Sequence, residues 1–256
     1  MLLETVGLTK HFGGLDAVSD VDIYVRKGEM VGIIGPNGAG KTTLFNLITG
    51  FLRPTKGRIE FGGKDIVGQK PHVIAWMGIG RTFQLNPLFA DFTVFQNVAA
   101  SFYLHPKSSL LAAFFNFPTY HRNEAYISKK ALEVLELLGL NGVKDELAKN
   151  LPQGYQKMLG IARALATNPK LLLLDEPIGG MSPGEIESTM KIVEKIRNSG
   201  VTILLVEHNM QIMDIVDRVF VINFGRKIAT GTIEELRENR EVIEAYFGAE
   251  QHAASS

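Results

Sequence analysis

The chain has 256 residues, enough for one large α/β domain or for a core with a smaller subdomain. Lys plus Arg and Asp plus Glu each number 27, so the formal net charge is zero, without the basic excess of proteins that grip a nucleic-acid backbone. Cysteine is absent, which excludes disulfides and thiolate-bound metal, and no apolar run approaches the roughly 18 residues needed to cross a bilayer.

Residues 1–5 lack a basic stretch leading into an apolar run, so no secretory signal is expected. The expectation is a soluble protein of a reducing compartment that serves a membrane, if at all, through a partner. Alternation predicts strands over residues 2–6 and 21–25, with Lys10-His11-Phe12-Gly13-Gly14 as a turn presenting an aromatic ring. Gly28 turns the chain into residues 30–34, a short apolar run that reads as a buried strand. Then comes Gly35-Pro36-Asn37-Gly38-Ala39-Gly40-Lys41-Thr42-Thr43, which fits the phosphate-binding pattern G-x-x-x-x-G-K-[ST]. Leu44, Phe45, Leu47 and Ile48 follow at helical spacing until Gly50. The glycines let backbone N–H groups turn toward phosphate oxygens, and the helix start adds the positive end of its dipole. Lys41 is expected to reach the β- and γ-phosphates and the Thr42 hydroxyl to ligate magnesium. A Gly-rich turn could match by chance, but the full pattern between a strand and a helix points to a nucleoside triphosphate.

Residues 57–63 read as a hairpin edge, and the glycine-marked segment 77–84 leads out of the strand-rich part. Helical patterns then appear at residues 94–102, near 110–117 and at 128–138, where Gly139 ends the helix. Asn150-Leu151-Pro152-Gln153-Gly154 opens another helix. Leu171 to Leu174 is a continuous apolar run ending in Asp175-Glu176-Pro177, the pattern of a strand buried on both faces. A helix is expected at 185–198, a second buried strand at 201–206 ending in Glu207-His208, and paired strands at 218–223 and 227–229. A terminal helix is expected near 242–247. Residues 1–84 and 166–256 therefore read as one α/β core, and 85–165 as an inserted helical subdomain.

Phosphoryl transfer to water needs a triphosphate cradle, a magnesium ligand set, and a group to orient and deprotonate the water. Asp175 emerges at the carboxyl end of a buried strand, where α/β folds place ligands, and is expected to hold magnesium through water. Glu176 is free of that duty and is the candidate to accept the water's proton, a role worth roughly 10²–10⁴-fold. On its own, Asp-Glu-Pro would more simply be a solvated turn; a phosphate loop in the same chain reverses that preference. His208, at the end of the second buried strand, is expected to touch the γ-phosphate or the water. Gln84 is by spacing an ordinary loop residue, and Phe12 either stacks a nucleobase or fills the core.

Together these motifs resemble the ATPase subunit of an ABC transporter over nearly the whole chain. They match, in order, an aromatic loop at Phe12, Walker A at Gly35 to Thr42, a Q-loop at Gln84, a signature from Leu151 to Gln156, Walker B ending at Asp175 with Glu176, and a switch histidine at His208. Segments such as Gly80-Arg81-Thr82-Phe83-Gln84 and Val206-Glu207-His208-Asn209-Met210 are similar to the ATP-binding subunits of branched-chain amino acid importers. The resemblance implies a P-loop NTPase, with a RecA-like mixed sheet, an antiparallel β subdomain and the helical insert. It implies ATP and Mg²⁺ as cofactors, with Thr42, Gln84 and Asp175 around the metal and Glu176, His208 and Gln84 in catalysis. Phe12 and residues Gly35 to Thr43, with Asp175, would bind the nucleotide.

The same resemblance implies two such subunits head to tail, each site completed by the other's signature, lying peripherally at the cytoplasmic face of the inner or plasma membrane against membrane permease subunits, with a solute-binding protein as an indirect partner. No nucleic-acid partner is expected. Two departures stand out. Pro152 replaces the serine of the usual LSGGQ, leaving Gln153 and Gly154 beside the helix start, and Ser182 stands where an aspartate is usual. Both would serve the opposite site, so a heterodimer with a paralogous ATPase is expected, with a homodimer as the alternative. The rival reading is a soluble ABC-type ATPase, as in cluster assembly. A P-loop GTPase is disfavoured by the lack of an Asn-Lys-x-Asp motif.

Overall fold

The computed structural model describes residues 1–83, 87–103, 118–207 and 210–245. A smaller antiparallel sheet forms from β1 (Leu3–Phe12), β2 (Leu15–Val21), β3 (Tyr24–Val25), β5 (Lys56–Phe61) and β6 (Lys64–Asp65), with the path β2-β1-β5-β6 and β3 paired to β1. The larger sheet has the order β11-β10-β4-β9-β8-β7, from β4 (Met30–Ile34), β7 (Ile79–Arg81), β8 (Leu171–Asp175), β9 (Thr202–Val206), β10 (Arg218–Asn223) and β11 (Arg226–Gly231). Its first five neighbours from β7 to β10 run parallel, and only β11 is antiparallel. This is the mixed sheet with an antiparallel β subdomain expected from the sequence.

Parallel strands covered on both faces need apolar side chains at every position, and these have them. Along β8, Leu171 and Leu173 join one buried cluster while Leu172 and Leu174 join the other; β4, β9 and β10 divide the same way. The first cluster lies between the two sheets and takes in Leu44, Phe45, Leu47 and Ile48 of α1 (Lys41–Ile48). The second lies on the opposite face, against α5 (Gln153–Ala166) and α6 (Pro183–Asn198). Helices α3 (Val94–Phe102) and α4 (Pro118–Leu137) pack with α5, and α2 (Pro71–Met77) leads into β7.

Several boundaries differ from the sequence reading. Lys10, His11 and Phe12 belong to β1 and not to a turn, because Gly13-Gly14 alone make the reversal and Phe12 pairs with Leu15. Irregular register between Leu8 and His11 hides the alternation there. The strand expected at 21–25 is split. Thr5 Oγ1 donates to Val21 O and accepts from Ile23 N, so the chain leaves β2 there and re-pairs as β3. The hairpin at 57–63 places β5 inside the sheet, with β6 as the edge. α4 begins at Pro118, ten residues before the expected helix start, in a polar stretch without apolar periodicity. Helix α2, strand β7 and α7 (Ile233–Arg237) were not anticipated; α7 is started by a Thr232–Glu235 capping box. The helix expected near 110–117, and residues 246–247 of the terminal helix, lie outside the described residues; 240–245 are helical.

Candidate active site

The carboxyl ends of β4, β8 and β9 meet at one edge of the large sheet, because all three run parallel in adjacent register. β4 ends at Ile34 and delivers Gly35; a Cβ on Gly35 would stand 2.0 Å from Ile222 O, so only glycine allows the loop this close to β10. Gly40, at φ +103°, presses equally on β2, where a Cβ would come within 2.3 Å of Ala17 O. Gly225 N donates to Ala39 O, and Ser19 N to Gly225 O. The phosphate loop is therefore fixed between β2 and the β10–β11 hairpin.

Lys41 opens α1 and is buried, donating from Nζ to Gly35 O at 2.6 Å and Pro36 O at 2.8 Å. Burial lowers its pKa, while the carboxylates of Glu176, Asp175 and Glu207 push it up. Its loop borders a cleft of about 710 Å³ that also includes Phe12, Asn37 to Thr43, Glu176 and Phe224. Phe12 is 46% exposed at the cleft mouth, which makes it available for stacking and not part of the core. Lys10 Nζ lies 5.0 Å from its ring centroid.

Asp175 closes β8, is buried, and pairs through Oδ2 with Arg81 NH2 at 3.0 Å. The Arg81 guanidinium also donates to Asn46 Oδ1 at 2.7 Å and Thr49 Oγ1 at 3.0 Å, joining β7 to α1 and β8. Burial raises the Asp175 pKa and lowers that of Arg81, and the hydrogen bond between them works against both shifts. Glu176 follows in the left-handed region at φ +48°. Glu207, after β9, is fully buried and accepts from Ile178 N at 3.0 Å.

The structure thus gathers Phe12, the phosphate loop and Glu176 at one cleft, with Asp175 beneath. Pro152, Gln153 and Gly154 stand apart and do not line it. Pro152 is the N-cap of α5; a Cβ on Gly180 would stand 3.2 Å from Gln153 Nε2, and one on Gly154 would stand 2.6 Å from Glu185 Oε1. Ser182 is occupied locally, its N–H and hydroxyl both donating to Glu185 Oε2. Gln84 and His208 lie outside the described residues.

The donors present suit a nucleotide with magnesium. The cradle leaves no room for a Cβ at Gly35 or Gly40, and Lys41 supplies a cation at its base. Thr42 and Asp175 are hard oxygen donors. Among the described residues no cluster of three His, Cys, Asp or Glu could hold a metal alone, as fits an ion that takes one or two protein oxygens plus phosphates.

Sequence reasoning missed Arg81, Glu207 and Lys157, whose ammonium donates to Glu176 O at 2.8 Å. Glu207 directly follows the apolar run of β9, a signal that could have flagged it, whereas Arg81 and Lys157 carry no such mark in the sequence. A second hollow, of about 310 Å³, opens between the core and α3 and α5, lined by Phe51, His72, Arg81, Phe83 and Arg163 among others.

A family profile described as ABC transporter matches residues 18–179, and one described as branched-chain amino acid ATP-binding cassette transporter matches 226–252. The chain is 42% identical to the high-affinity branched-chain amino acid transport ATP-binding protein BraF of Pseudomonas aeruginosa, over 96% of this chain and 98% of that protein. It is 41% identical to the corresponding protein LivG of Escherichia coli, with the same coverage. A solved nucleotide-free ATP-binding cassette from an ABC transporter superposes with a TM-score of 0.83 at 37% identity, covering 96% of this chain and 98% of that one. The ADP conformation of MJ1267, an ATP-binding cassette of an ABC transporter, gives 0.82 at 36%, with the same coverage.

Proposed function

Because this chain belongs to the ABC transporter family, as a nucleotide-binding ATPase subunit coupled to transport, we propose that it energises uptake of branched-chain or other small polar amino-acid-like solutes. The observation that carries this reading is the convergence of Lys41, Glu176 and Asp175 at one sheet edge, in a chain whose C-terminal part matches the branched-chain amino acid group. The soluble cluster-assembly alternative gains nothing from the relatives.

In this reading the chain is one ATPase domain, with residues 1–84 and 166–256 as the nucleotide core and 85–165 as the helical insert. Gly35 and Pro36 shape the turn, and the backbone N–H groups of Asn37, Gly38, Ala39, Gly40, Lys41, Thr42 and Thr43 cradle the phosphates. Lys41 places its charge on the β- and γ-phosphates, and Phe12 stacks the base. Thr42 and Asp175, with Gln84, hold the magnesium site; the ion, when bound, neutralises charge developing on the phosphates. Glu176 accepts the proton of the attacking water, and His208 orients the γ-phosphate.

Pro152, Gln153 and Gly154 do not line their own cleft, which supports a site completed by a second ATPase subunit. With Pro152 and Ser182 offering no hydroxyl to that site, the partner is a paralogue and the two sites are unequal. The subunit sits peripherally at the cytoplasmic face of the membrane, where the aromatic- and arginine-lined hollow receives the permease.

The test is reconstitution in proteoliposomes with both ATPases, the permeases and the binding protein, followed by labelled leucine uptake. Glu176→Gln introduced in one ATPase at a time should reduce uptake to different extents. Equal losses would argue against unequal sites, and copurification of the chain with soluble partners alone would overturn the transport reading.

A further inference from the structure

We propose that Lys157 is a positioning residue for hydrolysis. It holds the main chain of Glu176 in its left-handed conformation and so ties the helix opening at Pro152 to the catalytic loop of the same chain. This rests on the reading of Glu176 as the proton acceptor.

Glu176 has φ +48°, a region that side chains with a Cβ rarely occupy and that persists only where the surroundings over-determine it. Four groups do so here. Glu176 N donates to Val206 O at 2.9 Å, anchoring the residue to β9. Its carbonyl accepts from Lys157 Nζ at 2.8 Å and, more weakly, from Gly179 N at 3.4 Å. On the other side of the turn, Ile178 N donates to the buried Glu207 carboxylate. The loop after β8 is thus held between an ammonium from α5 and a carboxylate from the end of β9.

Lys157 is half-buried, which lowers its pKa, whereas Glu207 and Glu176 favour its charged form. Gly179 leaves it room there, since a Cβ at that position would stand 3.0 Å from Nζ. A charge-assisted hydrogen bond to a carbonyl is stronger than a neutral one, and Lys157 supplies it where the backbone is strained. It also lies only about 6 Å along the helix axis from Gln153, at 1.5 Å rise per residue. Any displacement of the helix start therefore reaches the Glu176 carbonyl through one side chain. With the helix start facing a second subunit's nucleotide, occupancy of one site would be felt at the carboxylate of the other.

The experiment compares Lys157→Met, Lys157→Arg, Glu176→Gln and the Lys157→Met/Glu176→Gln double variant in the reconstituted complex, with hydrogen exchange on the isolated full chain. Losing the bond should lower kcat about ten- to a hundredfold while KM for ATP moves less than about threefold. Exchange at the amides of Ile178 and Gly179 should rise about tenfold, ADP affinity of the isolated chain should stay unchanged, and arginine should restore most of kcat. In single-turnover hydrolysis the double variant should be no slower than Glu176→Gln. Wild-type kcat in Lys157→Met, failure of arginine to restore it, or fully additive losses in the double variant would overturn the proposal. Wild-type kcat in Glu176→Gln would instead sink the reading of Glu176 on which it stands.

Discussion

Replacing Arg81 by methionine tests whether the site is built on a buried ion pair. The side chains of Arg81 and Asp175 are 5% and 2% exposed, so removing the guanidinium leaves a buried carboxylate without its ion-pair partner. Breaking a buried pair from one side costs about 3–5 kcal/mol, against a typical total stability of roughly 5–15 kcal/mol. Asn46 and Thr49 also lose their donor, so the upper half of that range is expected. The corresponding fall in Tm is roughly 8–20 °C at about 2–4 °C per kcal/mol for a chain of this size. The loss should shrink on acidification. Asp175's folded pKa already lies above its unfolded value, so its ionised form is penalised at neutral pH and the penalty is lifted as pH falls through the folded pKa. Without Arg81, which pulls that pKa down, the penalty is larger and its relief at low pH greater. The assay is urea unfolding of wild type, Arg81→Met, Asp175→Asn and the double variant at neutral and mildly acidic pH. The double variant should be more stable than either single one, with a coupling of at least about 2 kcal/mol. Coupling below about 0.5 kcal/mol, or a loss of stability independent of pH, would refute the reasoning.

Two further outcomes follow from the cleft. Gly35→Ala drives a methyl onto Ile222 O, so the loop must move off β10; ADP affinity measured calorimetrically should fall at least about tenfold, with a stability cost of about 1–3 kcal/mol. Phe12→Ala should weaken ADP about five- to thirtyfold, from about 1–2 kcal/mol of lost base stacking, while pyrophosphate competes as well as before. Equal weakening of ADP and pyrophosphate would show that Phe12 supports the loop and does not touch the base.

The fold was legible where one strand or helix carried its own pattern. Leu171 to Leu174 announced a strand covered on both faces, and the spacing from Gly35 to Thr43 announced the cradle, because each is a local requirement written in consecutive residues. Elements defined by a distant neighbour were not legible. β7 is three residues long and exists through its pairing with β8, far along the chain. Arg81 reads as an ordinary polar residue until the fold brings it against Asp175, 94 positions on. Lys157 looks like one more solvated helix lysine until Glu176, 19 positions on, turns its carbonyl toward it. The division of β2 and β3 hung on one threonine hydroxyl bonding across two strands. Gln84 and His208, read from spacing and resemblance, belong to the segments outside the described residues.

The alternation of β4, β8, β9 and β10 between two apolar clusters makes the large sheet a partition wall. Interiors packed at crystal-like density transmit volume errors to whatever they touch, but such an error spreads chiefly within its own compartment. One compartment supports the cradle through α1, and the other supports α5 and α6. A volume change beneath α6 is therefore felt first among the helices, whereas one beneath α1 is felt first at the cradle; the start of α5, joined to Glu176 through Lys157, is where the two compartments meet.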